Sequence, residues 1–217
     1  IEIILIGESL SQDVIDNLIK AIRLSQDFAK EKNITLAGVG IGTPGIVDKT
    51  NRIVVGAAEN IAGWENIPLA DLIENATGLK ALLNNDANLM GLGEQYFGAA
   101  RGCTDVLFIT VGTGIGGAII INGKLFGGYD NRGTEMGHIP LIADGIPCPC
   151  GSRGCLEAYA STSALTKQFE ERAREENLHF SETINGKLIV KLYKENNPLA
   201  VEIMNRHFDY LGHGIAG

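Results

Sequence analysis

The sequence of 217 residues is poor in aromatic side chains, in basic charge and in long apolar runs. Only 6% of the residues are aromatic, and 18 Lys and Arg oppose 26 Asp and Glu, which leaves a net charge of −8. Nucleic acids and anionic membranes are bound by basic faces, so we expect neither as a partner. No apolar stretch approaches the roughly 20 residues of a membrane helix, and the first residues lack the basic region of a signal peptide. These absences predict a cytoplasmic protein in a reducing environment.

Cysteine is also scarce, but three of the four cysteines fall in one twelve-residue stretch, IPCPCGSRGCLE. Cys148, Cys150 and Cys155 form a C-x-C-x4-C pattern, and His138 lies upstream in TEMGHIPL. Three thiolates and one imidazole make a closed tetrahedral zinc set, which is typical of structural sites. Glycines at 151 and 154 would let the loop turn back so that the sulfurs converge. The alternatives are a disulfide with a spare thiol, or buried free cysteines; the isolated Cys103 is expected to be a small buried hydrophobe.

Glycine, by contrast, is abundant, and one cluster of it forms the sequence TVGTGIGG over residues 110–117. A turn of this kind offers several backbone N–H groups that can hold phosphate oxygens. It is not a Walker A loop, because no G-K-[ST] follows, and it does not open a helix as a dinucleotide-binding fingerprint would. From the residues alone, a phosphate loop and a flexible hairpin turn are equally good readings.

A polar stretch, NNDAN over residues 84–88, falls where a strand should end and a helix should begin. Asp86 there could cap the helix, or it could be a general base oriented by Asn85 near a hydroxyl substrate. Two further carboxylates, Glu135 and Glu157, flank the cysteine stretch, and Glu135 could share a face with His138. Fixed acceptors of this kind suit a ligand rich in hydroxyl groups, such as a sugar.

The hydrophobic pattern predicts an α/β protein with its domain boundary near residue 100. Residues 1–100 are expected to form a small N-terminal α/β domain, and residues 101–217 a larger α/β domain with the hairpin and the zinc loop. We also expect that the chain lacks the first strands and the C-terminal part of a longer protein. The expected elements are a helix over 12–32, a strand and Gly-Pro turn over 35–48, and a strand, a polar break and a helix over 80–100. The others are a hairpin with strands at 106–111 and 117–121 around a turn at 112–116, a type I′ turn at Asn122-Gly123, and helices over 157–176, 186–196 and 199–212.

Four segments together resemble the ROK family (repressors, open-reading-frame proteins and sugar kinases), and most closely its bacterial glucokinases. The segments are GVGIGTPGIVD, NNDANLMGLGE, TVGTGIGGAI and EMGHIPLIADGIPCPCGSRGCLEAYAS, in the order that the family shows. The resemblance covers nearly the whole chain. It implies an actin-like, ribonuclease-H-like two-domain fold with an interdomain active-site cleft, and it implies ATP and Mg²⁺ as co-substrates.

The resemblance also implies roles for individual residues. Asp86 would accept the proton of the sugar 6-hydroxyl, and His138 would contact the sugar while it holds zinc through its other nitrogen. The other implied sugar contacts are Gly45 through its backbone, Asn60, Asn85, Glu135 and Glu157. The implied second phosphate loop contains Gly112, Thr113, Gly114 and Gly116, and the implied zinc ligands are His138, Cys148, Cys150 and Cys155.

The expected activity is therefore the ATP-dependent phosphorylation of a hexose, with glucose as the first candidate substrate, in a cytoplasmic homodimer. The alternative is a sugar-responsive ROK repressor, which would carry an N-terminal helix-turn-helix; a zinc-stabilised binding module of another family is a third reading. The family's first phosphate loop, with an aspartate expected to help hold Mg²⁺, is absent from these residues. The choice of hexose, and of ATP or polyphosphate as donor, stays open.

Overall fold

The computed structural model describes residues 9–56, 58 and 61–216, which group into two compact units. The first unit extends to Val106 and includes Ile119–Gly133, and the second contains Leu107–Ala118 and Thr134–Gly217. The domain boundary near residue 100 stays a prediction. Among the described residues, no helix is both long and apolar enough to cross a bilayer.

Two pairs of parallel strands and two packed helices organise the first unit. The elements are β1 (Ser9–Leu10), α1 (Ser11–Glu31), β2 (Val39–Thr43), β3 (Ile46–Val47), β4 (Val54–Gly56), β5 (Ile61–Ala62), α2 (Leu69–Thr77), β6 (Ala81–Asn85) and α3 (Asp86–Phe97). Strand β2 pairs in parallel with β6, and β1 pairs in parallel with β5, whereas β3 and β4 are antiparallel. Helix α1 buries Val14, Ile15 and Ile22 against a core that includes Ile73 of α2 and Leu83 of β6.

A three-stranded sheet of β7 (Val106–Val111), β8 (Ile115–Ile121) and β9 (Lys124–Leu125) follows, with β8 in the centre. Asn122 and Gly123 between β8 and β9 both have positive φ, at 52° and 73°, as a type I′ turn requires. Two short 3₁₀ turns come next, at Tyr129–Asn131 and Met136–His138.

Four helices complete the second unit: α4 (Leu156–Ala160), α5 (Thr162–Glu175), α6 (Gly186–Lys194) and α7 (Pro198–Ala216). Their shared core contains Phe169 of α5, Ile189 of α6 and Ile203 of α7, all fully buried. A smaller apolar cluster joins Ile115 of β8 to Leu156 and Ala160 of α4. The hairpin strand is thus packed directly on the helix that follows the cysteine stretch.

Most of the predicted elements are confirmed, and four details were wrong. No polar break separates β6 from α3, because the Asn85 side chain accepts a hydrogen bond from the backbone N–H of Asn88 and starts the helix at once. The helix expected over 157–176 is two helices, because the Ser161 hydroxyl caps a new one by accepting from Ala164 N. Gly116 lies in β8 rather than in the turn, and Cys103 is exposed rather than buried.

One buried histidine makes the second unit sensitive to acid. His207 on α7 is 7% exposed, and its Nδ1 has no hydrogen-bond partner in the described part of the chain. Burial lowers the pKa of His207 from its usual 6.5. Below about pH 6.5, the unfolded chain therefore binds a proton at His207, whereas the folded unit binds this proton only at a lower pH.

We expect the free energy of unfolding of the second unit to decrease as the pH falls from 7 towards 5, by up to about 1.4 kcal/mol per pH unit from this group. Denaturant melts of the protein and of His207→Leu at several pH values measure the effect, and the variant should lose this part of the pH dependence. The matched control is His179→Leu, since His179 is exposed. An equal pH dependence in all three proteins would contradict the assignment.

Candidate functional site

The carboxyl ends of β2 and β6 bring the first group of candidate residues together. The two strands run in parallel, with Thr43 in register with Asn85. Side chains that follow such strand ends lie at one edge of the sheet, where open α/β sheets usually bind their ligands. The Thr-Pro-Gly turn at residues 43–45 therefore lies beside the Asn85-Asp86 pair.

The Asn85 side chain links these two strand ends by hydrogen bonds. Its side-chain Nδ2 donates to the Gly45 carbonyl at 3.1 Å, and its Oδ1 accepts from Asn88 N at 3.2 Å. The Asn85 side chain thus links the turn to the start of α3, and its amide nitrogen and oxygen can each still form one further hydrogen bond. Gly45 itself has a φ of 82°, which favours glycine.

Asp86 is the first residue of α3 and is exposed. Its Oδ1 accepts a hydrogen bond from the Ala87 N–H at 2.9 Å, and its Oδ2 has no hydrogen-bond partner among the described residues. The expectation that Asp86 could cap the helix is therefore wrong, because Asn85 provides the cap and Asp86 stands in the fixed first turn.

The single tryptophan supports the same turn, a role that the sequence analysis missed. Trp64 is 4% exposed, and its Nε1 donates to the hydroxyl of buried Thr43 at 2.8 Å. The Thr43 hydroxyl in turn donates to the carbonyl of Pro44 at 3.0 Å. A buried indole N–H needs an acceptor, but Thr43 and Trp64 are 21 residues apart, so no local signal in the sequence indicates this pairing.

The second group of candidate residues lies around the glycine turn of the β7–β8 hairpin. Gly112 N donates to Gly114 O at 2.9 Å, which closes the turn around Thr113. Glu157 of α4 reaches this turn, and its Oε2 accepts from the Ile115 N–H at 2.7 Å. A Cβ on Gly114 would overlap the Glu157 carboxylate, so a larger residue there would displace this carboxylate from the turn. The structure therefore joins a candidate sugar carboxylate to a candidate phosphate loop.

The segment that carries Glu135 and His138 packs on the same hairpin. Its 3₁₀ turn is closed by a hydrogen bond from His138 N to Glu135 O at 3.0 Å. Gly137 lies against the carbonyl of Ile115, where a Cβ would overlap that oxygen. Glu135 is exposed and His138 is half-buried, and the His138 ring reaches Cys148.

His138, Cys148, Cys150 and Cys155 converge on one point, with all their ligand atoms within 4.8 Å of one another. The Cys150 and Cys155 sulfurs are 3.7 Å apart, and Cys148 Sγ lies 3.6 Å from His138 Nδ1. A tetrahedral zinc with Zn–S bonds of about 2.3 Å and a Zn–N bond of about 2.0 Å requires edges of about 3.8 and 3.5 Å. The side chains are therefore spaced for such an ion.

Backbone geometry explains how three sulfurs meet. Gly151 and Gly154 have positive φ, at 86° and 74°, as the sequence analysis anticipated. The Gly154 carbonyl accepts from Leu141 N at 2.7 Å, and a Cβ on Gly154 would overlap the Ile142 carbonyl. The cysteine loop is thus folded back onto the segment that follows His138.

Without a metal, two of these thiols are hard to ionise. Burial raises the pKa of the Cys148 thiol to about 12 and also raises that of Cys155. A hydrogen bond from the Ser152 backbone lowers the pKa of Cys150. Closely spaced thiols, two of them buried and one exposed, with no disulfide between them, are the state that a thiophilic cation converts to thiolates. The donor set and its spacing fit zinc.

The structure thus assembles two clusters, one in each unit. Gly45, Asn85 and Asp86 lie in the first unit, and the hairpin turn, Glu135, His138, Glu157 and the cysteines lie in the second. Asn60, a candidate sugar contact, falls outside the described residues.

The fold and the two clusters define an α/β protein with a carboxylate at a strand end, a glycine hairpin and a Cys/His site. The chain belongs to the ROK family, whose model matches residues 5–217. The predicted resemblance to ROK glucokinases is confirmed, and the fold is the actin-like α/β fold of ROK sugar kinases.

Three relatives show the range of the family. The chain is 38% identical to a glucokinase of Thermotoga maritima, over 82% of this chain and 58% of the relative. It is 37% identical to the xylose repressor of Bacillus subtilis, over 69% of this chain and 38% of the relative. The solved ROK glucokinase of Streptomyces griseus, in complex with glucose and AMPPNP, superposes with a TM-score of 0.80 at 35% identity, covering 95% of this chain and 67% of that one.

The chain therefore spans just over half of the length of the T. maritima glucokinase.

Proposed function

We propose that the protein transfers a phosphoryl group from Mg²⁺-ATP to the 6-hydroxyl of a hexose, with glucose as the first candidate substrate. The observation that carries this proposal is the position of Asp86, whose free Oδ2 projects from a capped helix terminus at the end of a parallel strand. The similarity to glucokinases, one of them solved with glucose and AMPPNP, supports the same activity.

In the proposed reaction, Asp86 accepts the proton of the 6-hydroxyl while that oxygen forms its bond to the γ-phosphorus. The bond from the γ-phosphorus to the β–γ bridging oxygen breaks, and the electron pair leaves with ADP. The transition state of such a transfer is loose, so positioning and charge stabilisation provide most of the catalysis. The fixed first turn of α3 supplies the positioning, because Asn85 and Ala87 hold it on both sides.

The remaining contacts are proposed as follows. The backbone at Gly45 and the side chains of Asn85, Glu135, His138 and Glu157 bind sugar hydroxyls, as does Asn60. Gly112, Thr113, Gly114 and Gly116 form the loop that holds the nucleotide phosphates. Thr113 and Gly114 are its candidate N–H donors, because the Gly112 N–H is donated to Gly114 O and Gly116 lies in β8. Mg²⁺, bound with ATP, would neutralise charge on the transferred group.

We also propose that His138, Cys148, Cys150 and Cys155 hold one structural zinc. His138 Nδ1 is the atom that faces Cys148, which leaves Nε2 for a sugar hydroxyl. The cation would lock the cysteine loop to the turn that bears Glu135. A site with four protein ligands has no open position, so zinc would have no part in the chemical step.

The role of Glu157 predicts a loss of sugar affinity in Glu157→Gln. The glutamine oxygen can still accept from the Ile115 N–H, so the hairpin contact should survive while the charged acceptor is lost. A hydrogen bond to a charged group contributes about 1.5–3 kcal/mol, so we expect roughly 10- to 100-fold weaker glucose binding by calorimetry. Glu171→Gln, an exposed change on α5, is the control. Unchanged affinity in Glu157→Gln would count against the role.

A second candidate function is a sugar-responsive repressor, which is favoured by the similarity to the xylose repressor. An assay for ADP formation with Mg²⁺-ATP and a panel of hexoses, on the full-length protein, separates the two. Turnover with glucose and little with N-acetylated sugars supports the glucokinase. Sugar binding without turnover on any hexose supports the repressor.

We further propose that the protein acts as a cytoplasmic homodimer. The support is the family resemblance and the thiol-rich metal site, which requires a reducing compartment. Light scattering of the purified full-length protein measures the oligomeric state.

A further inference from the structure

The second unit holds a cavity of about 470 Å³ beside the glycine turn. Its wall continues from Gly112 and Thr113 onto helix α5, where Thr162, Thr166, Lys167 and Glu170 line it. Cavities of this size hold small molecules of nucleotide dimensions. These lining residues of α5 were not among the candidate site residues predicted from the sequence.

Helix α5 has two distinct faces. Leu165, Phe169 and Ala173 are buried in the core of the second unit. The lining residues Thr162, Thr166 and Glu170 are spaced four apart and form a stripe beside this buried face, about 60° around the helix from it. These hydroxyl and charged groups border a face that is anchored in the core, so they form a rigid polar wall of the cavity.

The glycine turn and this wall are joined directly. The Thr162 N–H donates to the Gly112 carbonyl at 2.8 Å, so the start of α5 is fixed to the turn. Gly186, the first residue of α6, lies so close that a Cβ there would come within 2.9 Å of Thr162 Cγ2. A ligand that accepts hydrogen bonds from the N–H groups of the turn would therefore also lie beside the start of α5.

Lys167 is the cation of this cavity, which is also lined by the carboxylate of Glu170. Among the described lining residues it is the only basic one, and no carboxylate of the described chain forms an ion pair with it. Arg172 on the same helix is different, since it pairs with Glu175, Glu176 and Glu202. In a chain with a net charge of −8, an unpaired lysine beside a phosphate-type loop is suited to an anion.

We propose that Lys167 contacts the phosphates of the bound nucleotide and so forms, with the glycine turn, a two-sided phosphate site. The assignment rests on the proposed kinase function. The turn supplies directional N–H donors, and the flexible lysine supplies the charge that compensates the phosphate oxygens.

Calorimetric titration of the full-length protein with Mg²⁺-ATP and with adenosine tests the assignment. We expect Lys167→Met to bind Mg²⁺-ATP at least tenfold more weakly, with a smaller dependence on salt, and to bind adenosine as the unmodified protein does. Lys167→Arg should restore most of the affinity. The matched control is Lys194→Met, which removes the same charge at the far end of α6.

The outcomes separate this assignment from the function on which it rests. Equal Mg²⁺-ATP affinity in Lys167→Met and the unmodified protein would overturn the role of Lys167 and leave the kinase proposal standing. An equal loss of affinity for ATP and adenosine would show a general disturbance of the cavity and would also overturn it. Absence of Mg²⁺-ATP binding to the unmodified protein would overturn both proposals.

Discussion

Asp86→Asn should lower kcat for hexose phosphorylation by about 100- to 10,000-fold, the range that a positioned general base contributes. The amide keeps the size of the carboxylate, and its oxygen can still accept from the Ala87 N–H. It cannot accept the proton of the 6-hydroxyl, so the loss should fall on kcat and not on the affinity for sugar. ADP formation under saturating glucose and Mg²⁺-ATP measures kcat, and calorimetry measures the affinity.

Asp13→Asn is the matched control for this change. Asp13 lies in the first turn of α1, as Asp86 does in α3, and it is exposed in the same unit. Each substitution removes one negative charge near a helix N-terminus, which costs about 0.3–1 kcal/mol of stability. We expect Asp86→Asn and Asp13→Asn to have similar free energies of unfolding, but only Asp86→Asn to have a strongly reduced kcat. An Asp86→Asn protein with near-normal turnover would remove Asp86 from the mechanism.

Local patterns were sufficient to predict the elements that carry the site. The alternation and turn residues around 106–123 predicted the first hairpin strand and the type I′ turn. An Asn-Gly pair favours this turn because both residue types tolerate positive φ, which Asn122 and Gly123 have in the structure. The C-x-C-x4-C spacing with its glycines predicted a convergent loop, and the structure places the four ligand atoms together. In both cases the information is short-range.

What the sequence did not reveal depends on long-range contacts. The hydrogen bond from Asn85 to Gly45 spans 40 residues, and that from Ile115 to Glu157 spans 42. The buried partnership of Trp64 and Thr43 is likewise set by packing and not by local pattern. The exposure of Cys103 was mispredicted for a similar reason, since cysteine is often buried but nothing local compels it.

The Cys/His site and the residues proposed to bind the sugar are connected by hydrogen bonds in the second unit. The cysteine loop is tied to the segment after His138 by the bond from Leu141 N to Gly154 O. Leu156 N donates to Ile139 O at 2.9 Å, so the helix that bears Glu157 is attached to the same segment. Release of the metal should therefore loosen both Glu135 and Glu157, and not only the loop that holds the sulfurs.

Cys155→Ser is the sharpest test of this connection, because Cys155 is fully buried and directly precedes α4. We expect the variant to lose its zinc, to unfold with a free energy lower by about 3–5 kcal/mol, and to bind glucose poorly. Metal analysis, denaturant melts and calorimetry measure the three effects, and a strong chelator should reproduce them in the unmodified protein. Cys103→Ser makes the same chemical change at an exposed position outside the cluster and should keep one zinc per chain. A Cys155→Ser protein with a full complement of zinc and unaltered stability would refute Cys155 as a zinc ligand, and absence of zinc from the unmodified protein would refute the structural metal.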